Sequence, residues 1–251
     1  MSDIKVLKFG TSSMGKIGSN VIGFLPPFEP TSIPNCVLWL NNTSASMTLS
    51  GSNKVSEWRD LSGLNHHFTQ GTGTNQPLFV SSGINGQNGV YFSNSADNFM
   101  DCIFSTTYAQ PFTTISVWNL DANSTQSFPI LFDRSTTTTN RVTTMWRSNQ
   151  IRLFAPNPAD VQAKTRPFSL VSNAIEWNGS STLFYENNTL ISTSNPSTAS
   201  LIDMRLGNQA GTNSSAYRLS GYICEHIVFS RQLTSDEKLT LNNYLTKKYG
   251  L

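Results

Sequence analysis

The apolar runs of this chain are short, and that limits what it can fold into. CVLWL (36–40), GVYF (89–92), FTTISVWN (112–119), TLFYE (182–186) and TLIST (189–193) are dense in β-branched and aromatic residues, and polar turn residues soon close each of them. Runs of that kind read as strands. Within FTTISVWN, Ile115, Ser116 and Val117 alternate apolar and polar, the pattern of a half-buried strand. RVTTMWR and QIRLFA (141–155) flank Ser148-Asn149 and read as a hairpin, and FSLVSNAIEW (168–177) and LSGYICEHIVFS (219–230) add longer strands. Asn187-Asn188 is turn chemistry, because Asn tolerates left-handed backbone. The sum is around a dozen short strands separated by turns, which predicts an all-β, two-sheet antiparallel β-sandwich or jelly roll.

One helix is expected, at the C-terminus. Thr234-Ser235-Asp236-Glu237 is a capping box, with Thr234 as N-cap and Glu237 reaching back. Leu241, Tyr244, Leu245 and Tyr249 then share a face at helical spacing, and Gly250 stands where the helix would end. Such a helix would lie as a lid on the sandwich.

Composition points the same way. Ser, Thr and Asn occupy 86 of the 251 positions while charged residues make up 13%, which disfavours long surface helices and suits many strands with polar turns. Five tryptophans and 11% aromatic content exclude a disordered chain. A chain this long buries roughly three quarters of its unfolded surface, so its core needs neither disulfide nor metal. The net charge is +2 and no basic run exceeds Lys247-Lys248, so there is no nucleic-acid footprint. No apolar stretch approaches the ~18 residues of a membrane helix. MSDIKVLKFG carries no apolar core of the signal-peptide type, and VIGFLPPF is interrupted by Pro26-Pro27. Cys36, Cys102 and Cys224 are odd in number and widely spaced, which fits free thiols in a reducing compartment, with a redox or metal role as the alternative. The expectation is synthesis in a cytoplasm without secretion.

Residues 1–34 differ from residues 35–251. Gly and Pro punctuate apolar patches that include Phe9, Ile17, Phe24 and Phe28, whereas a flexible linker would lack such residues. These residues read as an extended arm that buries its apolar groups on its own domain or on another protein. The Pro-rich stretch 26–34 resembles a domain boundary and favours the partner.

Several segments, in order, carry a resemblance: CVLWL, VSEWRDLSGLNHHFTQ (55–70), a Gly/Asn-rich stretch, GVYFSNSADNFM (89–100), SVWNL, WNGSSTLFYENNTLI (177–191), IDMRLGN (202–208) and LSGYICEHIVFSRQLTSDEKLTLNNYLTKKYGL. Over about 36–251 they resemble the concanavalin A-like lectin/glucanase superfamily in its laminin-G-like branch, in the versions found in phage tail and capsid proteins. The resemblance implies two antiparallel sheets face to face and loops on the concave side where members bind sugars and sometimes calcium. It further implies a non-enzymatic virion surface protein, a capsid decoration or fibre component made in the host cytoplasm. Residues 1–34 would grip other virion proteins, major capsid or tail, the protein would be homo-oligomeric on the particle, and surface glycans would be candidate ligands. A free carbohydrate-binding lectin and an endoglycanase are the alternatives. The matching motifs look like framework: Asp60 in a turn with Trp58, Ser62 and Gly63, Trp177 and Gly179 opening a hairpin, and Glu225 between Ile223 and Ile227 on one strand face as a buried, hydrogen-bonded carboxylate.

Catalytic patterns are sparse. Glycoside hydrolysis needs two carboxylates ~5–10 Å apart, and no strand carries acids at that spacing. Asp97 and Asp101 are four apart but Asp97 belongs to a turn, and Glu176 and Glu186 lie on separate strands. His66, His67 and His226 do not make a zinc set, since adjacent residues on a strand face opposite ways. No cofactor is implied. Calcium at Asp60, Asp97 or Asp133 is the weaker reading beside turn capping. For a sugar platform the candidates are Trp146, Arg147 and Asn149 beside the hairpin turn, and Trp118 with Asn119, with core packing as the alternative for each tryptophan.

Overall fold

In a computed structural model the described residues form 20 strands and one α-helix. The structure describes residues 7–9, 12–17, 21–122, 124–134, 136, 141–147, 150–160, 167–211 and 214–251; up to residue 25, and at 160, it describes the backbone.

Three short strands, β1 (Leu7–Phe9), β2 (Ser12–Ile17) and β3 (Val21–Leu25), form a meander whose ladders run among themselves. The other seventeen make two antiparallel sheets. In the first, β18 (Thr189–Ser194), β17 (Thr182–Glu186), β16 (Val171–Trp177), β11 (Phe112–Trp118) and β20 (Gly221–Phe229) pair in that spatial order. The far edge of β20 is shared by β4 (Cys36–Leu40) and β9 (Gln87–Phe92), and β8 (Leu78–Ile84) follows β9. In the second sheet the order is β5 (Met47–Ser50), β6 (Lys54–Trp58), β7 (Phe68–Thr69), β10 (Met100–Tyr108), β19 (Leu201–Leu206), β12 (Ile130–Asp133), β13 (Thr143–Arg147), β14 (Gln150–Phe154) and β15 (Pro158–Asp160). A single pair, Lys54 with Leu78, joins β6 to β8 at the margin.

Two cores follow. Between the sheets lie Leu38, Leu40, Trp58, Phe68, Phe92, Phe112, Trp118, Phe132, Trp146, Trp177, Phe184 and Val228. On the outer face of the first sheet, Trp39, Ile115, Val117, Ile227 and Phe229 are covered by α1 (Ser235–Tyr249) through Leu241, Leu245 and Tyr249. The first sheet is thus the middle of three layers. That overturns the half-buried reading of Ile115–Val117: all seven residues of β11 are buried, because its polar-looking positions, Thr113 on the helix side and Thr114 and Ser116 on the other, are also enclosed.

The helix has the ends its sequence encodes. Thr234 accepts from the Glu237 backbone, Glu237 accepts from the Thr234 backbone, and Gly250 closes the helix at φ 71°. Asn187 and Asn188 turn with φ of 46° and 64°. A bulge in β20 opposite Val117 and Trp118 corrects the expected face of Ile223: Ile223 joins the inter-sheet core, while Cys224 and Ile227 lie in the helix-side cluster.

The body also reaches back past residue 34. Pro30 is buried, Ile33 belongs to the helix-side core, and the Phe28 ring sits 5.5 Å from that of Tyr244. Residues 28–33 thus pack on the sandwich, ahead of the boundary expected at residue 34. Phe28 packs on the body and is not part of a free arm, while the side chains of Phe9, Ile17 and Phe24 lie outside the described residues.

Candidate functional site

Pairing directions bring one set of loops to one end of the sandwich. β9 ends and β10 begins there, as do β11 and β12, β13 and β14, and β19 and β20. The connections 93–99, 119–129 and 207–220 join the two sheets at this end, and loops on a scaffold of paired strands are where binding sites are commonly carried. Polar side chains fasten them together. Asn94 donates to Gln126 at 3.3 Å, Arg218 donates to the Asn94 carbonyl at 3.3 Å, and Asn208 donates to Asp97. The Phe128 amide donates to the Ala216 carbonyl at 2.9 Å, and the Trp146 amide to the Pro129 carbonyl at 2.9 Å.

Two aromatic groups stand on this end. In the first, the Phe128 and Tyr217 rings stack at 5.5 Å and 27°, and the Arg147 guanidinium lies 5.2 Å over the Phe128 ring. Both rings are half-buried and Arg147 is exposed. In the second, Tyr91 and Tyr222 face each other across paired strands at 5.0 Å, and Tyr91 donates to Asp121 at 2.7 Å. Burial, with the Asp121 carboxylate beside it, pushes the Tyr91 hydroxyl up to about 12, so it stays a donor. Phe168, 44% exposed, sits on a loop at the same end.

The residues singled out from sequence divide. Arg147 is at this site. Trp146 is not a platform: it is 1% exposed in the inter-sheet core, because β13 alternates and turns Trp146 inward. Asn149 lies outside the described residues. Trp118 and Asn119 are buried too, with the indole donating to Asn173 at 2.7 Å. Phe128 and Tyr217 escaped the sequence reading because they sit in loops, where no periodicity marks them; an aromatic set among Ser and Pro in QSFP and SSAYR was the available signal.

The acids have structural partners. Asp60 accepts from the Trp39, Ser62 and His66 amides and the Ser62 hydroxyl, the turn its motif predicts. Asp133 takes Arg141 at 3.1 Å, Thr143 and the Arg134 amide, and burial pushes its carboxyl up to about 6. Glu225 accepts from Trp39, Tyr244, Lys248 and Tyr249 at 2.6–2.8 Å. Glu176, ion-paired with Lys238 at 3.0 Å, is three positions from Asn173, the partner of Glu186, so the two glutamates face opposite sides of their sheet. Among the described residues no three His, Cys, Asp or Glu converge on a point that would hold a metal ion. His66 and His67 precede β7 rather than lying on it; His66 bonds the Val37 carbonyl and Ser105, and His67 accepts from the Asp60 amide. A groove of about 480 Å³ runs beside α1, lined by Pro27, Phe28, Tyr244 and Lys247 among others.

No protein-family model matches the sequence, and no curated protein is similar to it. Solved structures are similar in fold. The binding domain of Paraclostridial Mosquitocidal Protein 1 superposes with TM-score 0.57 at 14% identity, covering 86% of this chain and 53% of that one. A botulinum neurotoxin type C structure, described as dependent on two ganglioside molecules to enter cells, gives 0.59 at 13% identity, covering 84% and 51%. A Trypanosoma rangeli sialidase in complex with sialic acid gives 0.52 at 11% identity, covering 98% and 44%. The chain thus spans about half, or less, of the length of the structures it matches. What the likeness establishes is the architecture: a lectin-like β-sandwich of the kind shared by toxin binding domains and sialidases.

Proposed function

We propose that the chain is a non-enzymatic surface module of a bacteriophage particle, of the laminin-G-like branch, which binds glycans at its loop end. The observation that carries the glycan reading is the stack of Arg147, Phe128 and Tyr217, half-exposed rings beside a polar, cationic head on a rigid rim. Sugar rings bind by laying C–H faces on aromatic rings with polar groups at the margin. The ganglioside and sialic acid named for two similar structures support carbohydrate as the ligand class. The non-enzymatic reading is supported by the use of Asp60, Asp133 and Glu225 in framework hydrogen bonds and by the opposed faces of Glu176 and Glu186.

The phage reading rests on the resemblance of the C-terminal segments and on the N-terminal meander. We assign the apolar residues of 1–25 to a contact with a capsid or tail protein, beyond the two cores that the described residues 28–251 build. Chain lacking residues 1–25 should stay folded and be missing from assembled particles; its incorporation at wild-type level would end the anchoring idea. On a glycan array the full chain should bind at least one class of glycan, with signal reduced by Tyr217→Ala. A reducing-sugar assay on β-glucans, alginate and agar should stay at background, and turnover would replace this reading with a glycanase.

A further inference from the structure

We infer that the Arg147–Phe128–Tyr217 stack recognises the carboxylate of an acidic sugar. The inference rests on the carbohydrate reading above and narrows it. Six arginines show the usual arrangement. Arg59 pairs with Glu57, Arg134 with Asp203, Arg141 with Asp133, Arg205 with Asp101, Arg218 with Asp97 and Arg231 with Glu237. Arg147 differs: it is exposed, its guanidinium lies over the Phe128 ring, and no carboxylate among the described residues pairs with it. Water solvates an exposed guanidinium at little cost, so Arg147 stays available to an anionic ligand at the loop rim.

The geometry suits an anion. The contact with Phe128 uses no N–H donor in a hydrogen bond, and the ring restrains the long side chain before any ligand arrives. A carboxylate fits that edge with two parallel hydrogen bonds. The Tyr217 ring, stacked beside Phe128, provides the surface for the C–H face of the same sugar. Of the acids at this end, Asp97 is engaged by Asn208 and Arg218, and Asp121 by the Tyr91 and Ser220 hydroxyls. A neutral hexose would satisfy the rings and leave the guanidinium unused. Uronic acids and sialic acids share the required chemistry, a pyranose ring bearing a carboxylate.

Titration calorimetry on the full chain separates the sources and the readings. Two matched pairs serve as probes: trigalacturonate against its methyl ester, and 3′-sialyllactose against lactose. At least one acid is expected to bind about tenfold more tightly than its neutral partner, the worth of one exposed charge-assisted contact. Arg147→Gln should bring the acid down to the neutral level, Arg147→Lys should keep part of the preference, and Tyr217→Ala should weaken acid and neutral forms together. Rising salt should weaken the acids alone. Equal binding of acid and neutral forms would overturn the acidic inference and leave the glycan reading standing. An acid preference unchanged in Arg147→Gln would overturn the site. Failure of all four probes together with a silent glycan array would overturn both. Arg147 stands outside the core, so near-ultraviolet circular dichroism should show both variants folded.

Discussion

Glu225 takes a hydrogen bond from each of Trp39, Tyr244, Lys248 and Tyr249 and so pins α1 to the middle sheet. Its neighbour His226 faces the opposite core. There it bonds Ser116 through Nδ1 at 2.8 Å and lies against the Phe132 ring. Burial pushes the imidazole down to about 3, because a charged ring in that core has no water around it. The native state therefore binds this proton later than the unfolded chain does, whose His titrates near 6.5. His226 stability is fully present above about pH 6.5 and is lost as pH falls toward 3, at up to ~1.4 kcal/mol per pH unit. Asp133, held up to about 6, acts in the opposite sense: its contribution is present below about 3.8 and fades as pH rises through 6. The clean readout is thus a difference. Urea unfolding of wild type and His226→Gln at pH 7, 5 and 4 should show the wild type losing its lead as pH falls, and parallel curves would refute the buried neutral histidine. The burial of Glu225 was legible in the alternating strand residues around it. Its four donors were not, since three of them come from the helix and one from β4.

At the scale of elements, α1 is the part most fully written in local sequence. The capping box, the apolar face and the terminal Gly lie within seventeen consecutive residues, and each acts on the backbone beside it. Glu237 does double duty, since it also pairs with Arg231 at 2.6–2.8 Å and its carboxyl is held down to about 2 by Arg231 and the Thr234 amide. Thr234→Ala should cost about 1 kcal/mol by chemical denaturation, the usual worth of an N-cap; no change would mean that the Arg231 pair alone orders the first turn. β11 shows the opposite case. Its residues encode a strand, yet nothing within Phe112–Trp118 tells that a helix covers one face and a second sheet the other. The bulge in β20 was likewise invisible, because it is set by pairing with β11 and not by a Gly or Pro in the strand itself.

For the whole molecule, three layers and one loop-bearing end define how the chain is used. The outer face of the middle sheet depends on α1 and on the N-terminal approach together, since Phe28 and Ile33 help close the same helix-side core. Removal of residues 1–25 should leave the unfolding free energy within about 1 kcal/mol of the full chain. Removal of 1–34 should cost at least about 3 kcal/mol, since it uncovers that core. Equal stability of the two truncations would mean that residues 26–34 add nothing to the folded body.

Sequence alone determined the fold class, the turns at Asn187-Asn188, the Asp60 turn and the C-terminal helix with its caps, because each depends on residues a few positions apart and on a period of two or 3.6. Tertiary structure decided which face each strand buries, and with it the fate of the candidate platforms. Trp146 went into the core and its neighbour Arg147 to the rim, one position apart on an alternating strand. Phe128 and Tyr217 come together only because β11, β12, β19 and β20 end at the same side of the sandwich. A loop residue carries no periodic signal, and the proximity of two loops separated in sequence is fixed by the register of sheets that neither loop encodes.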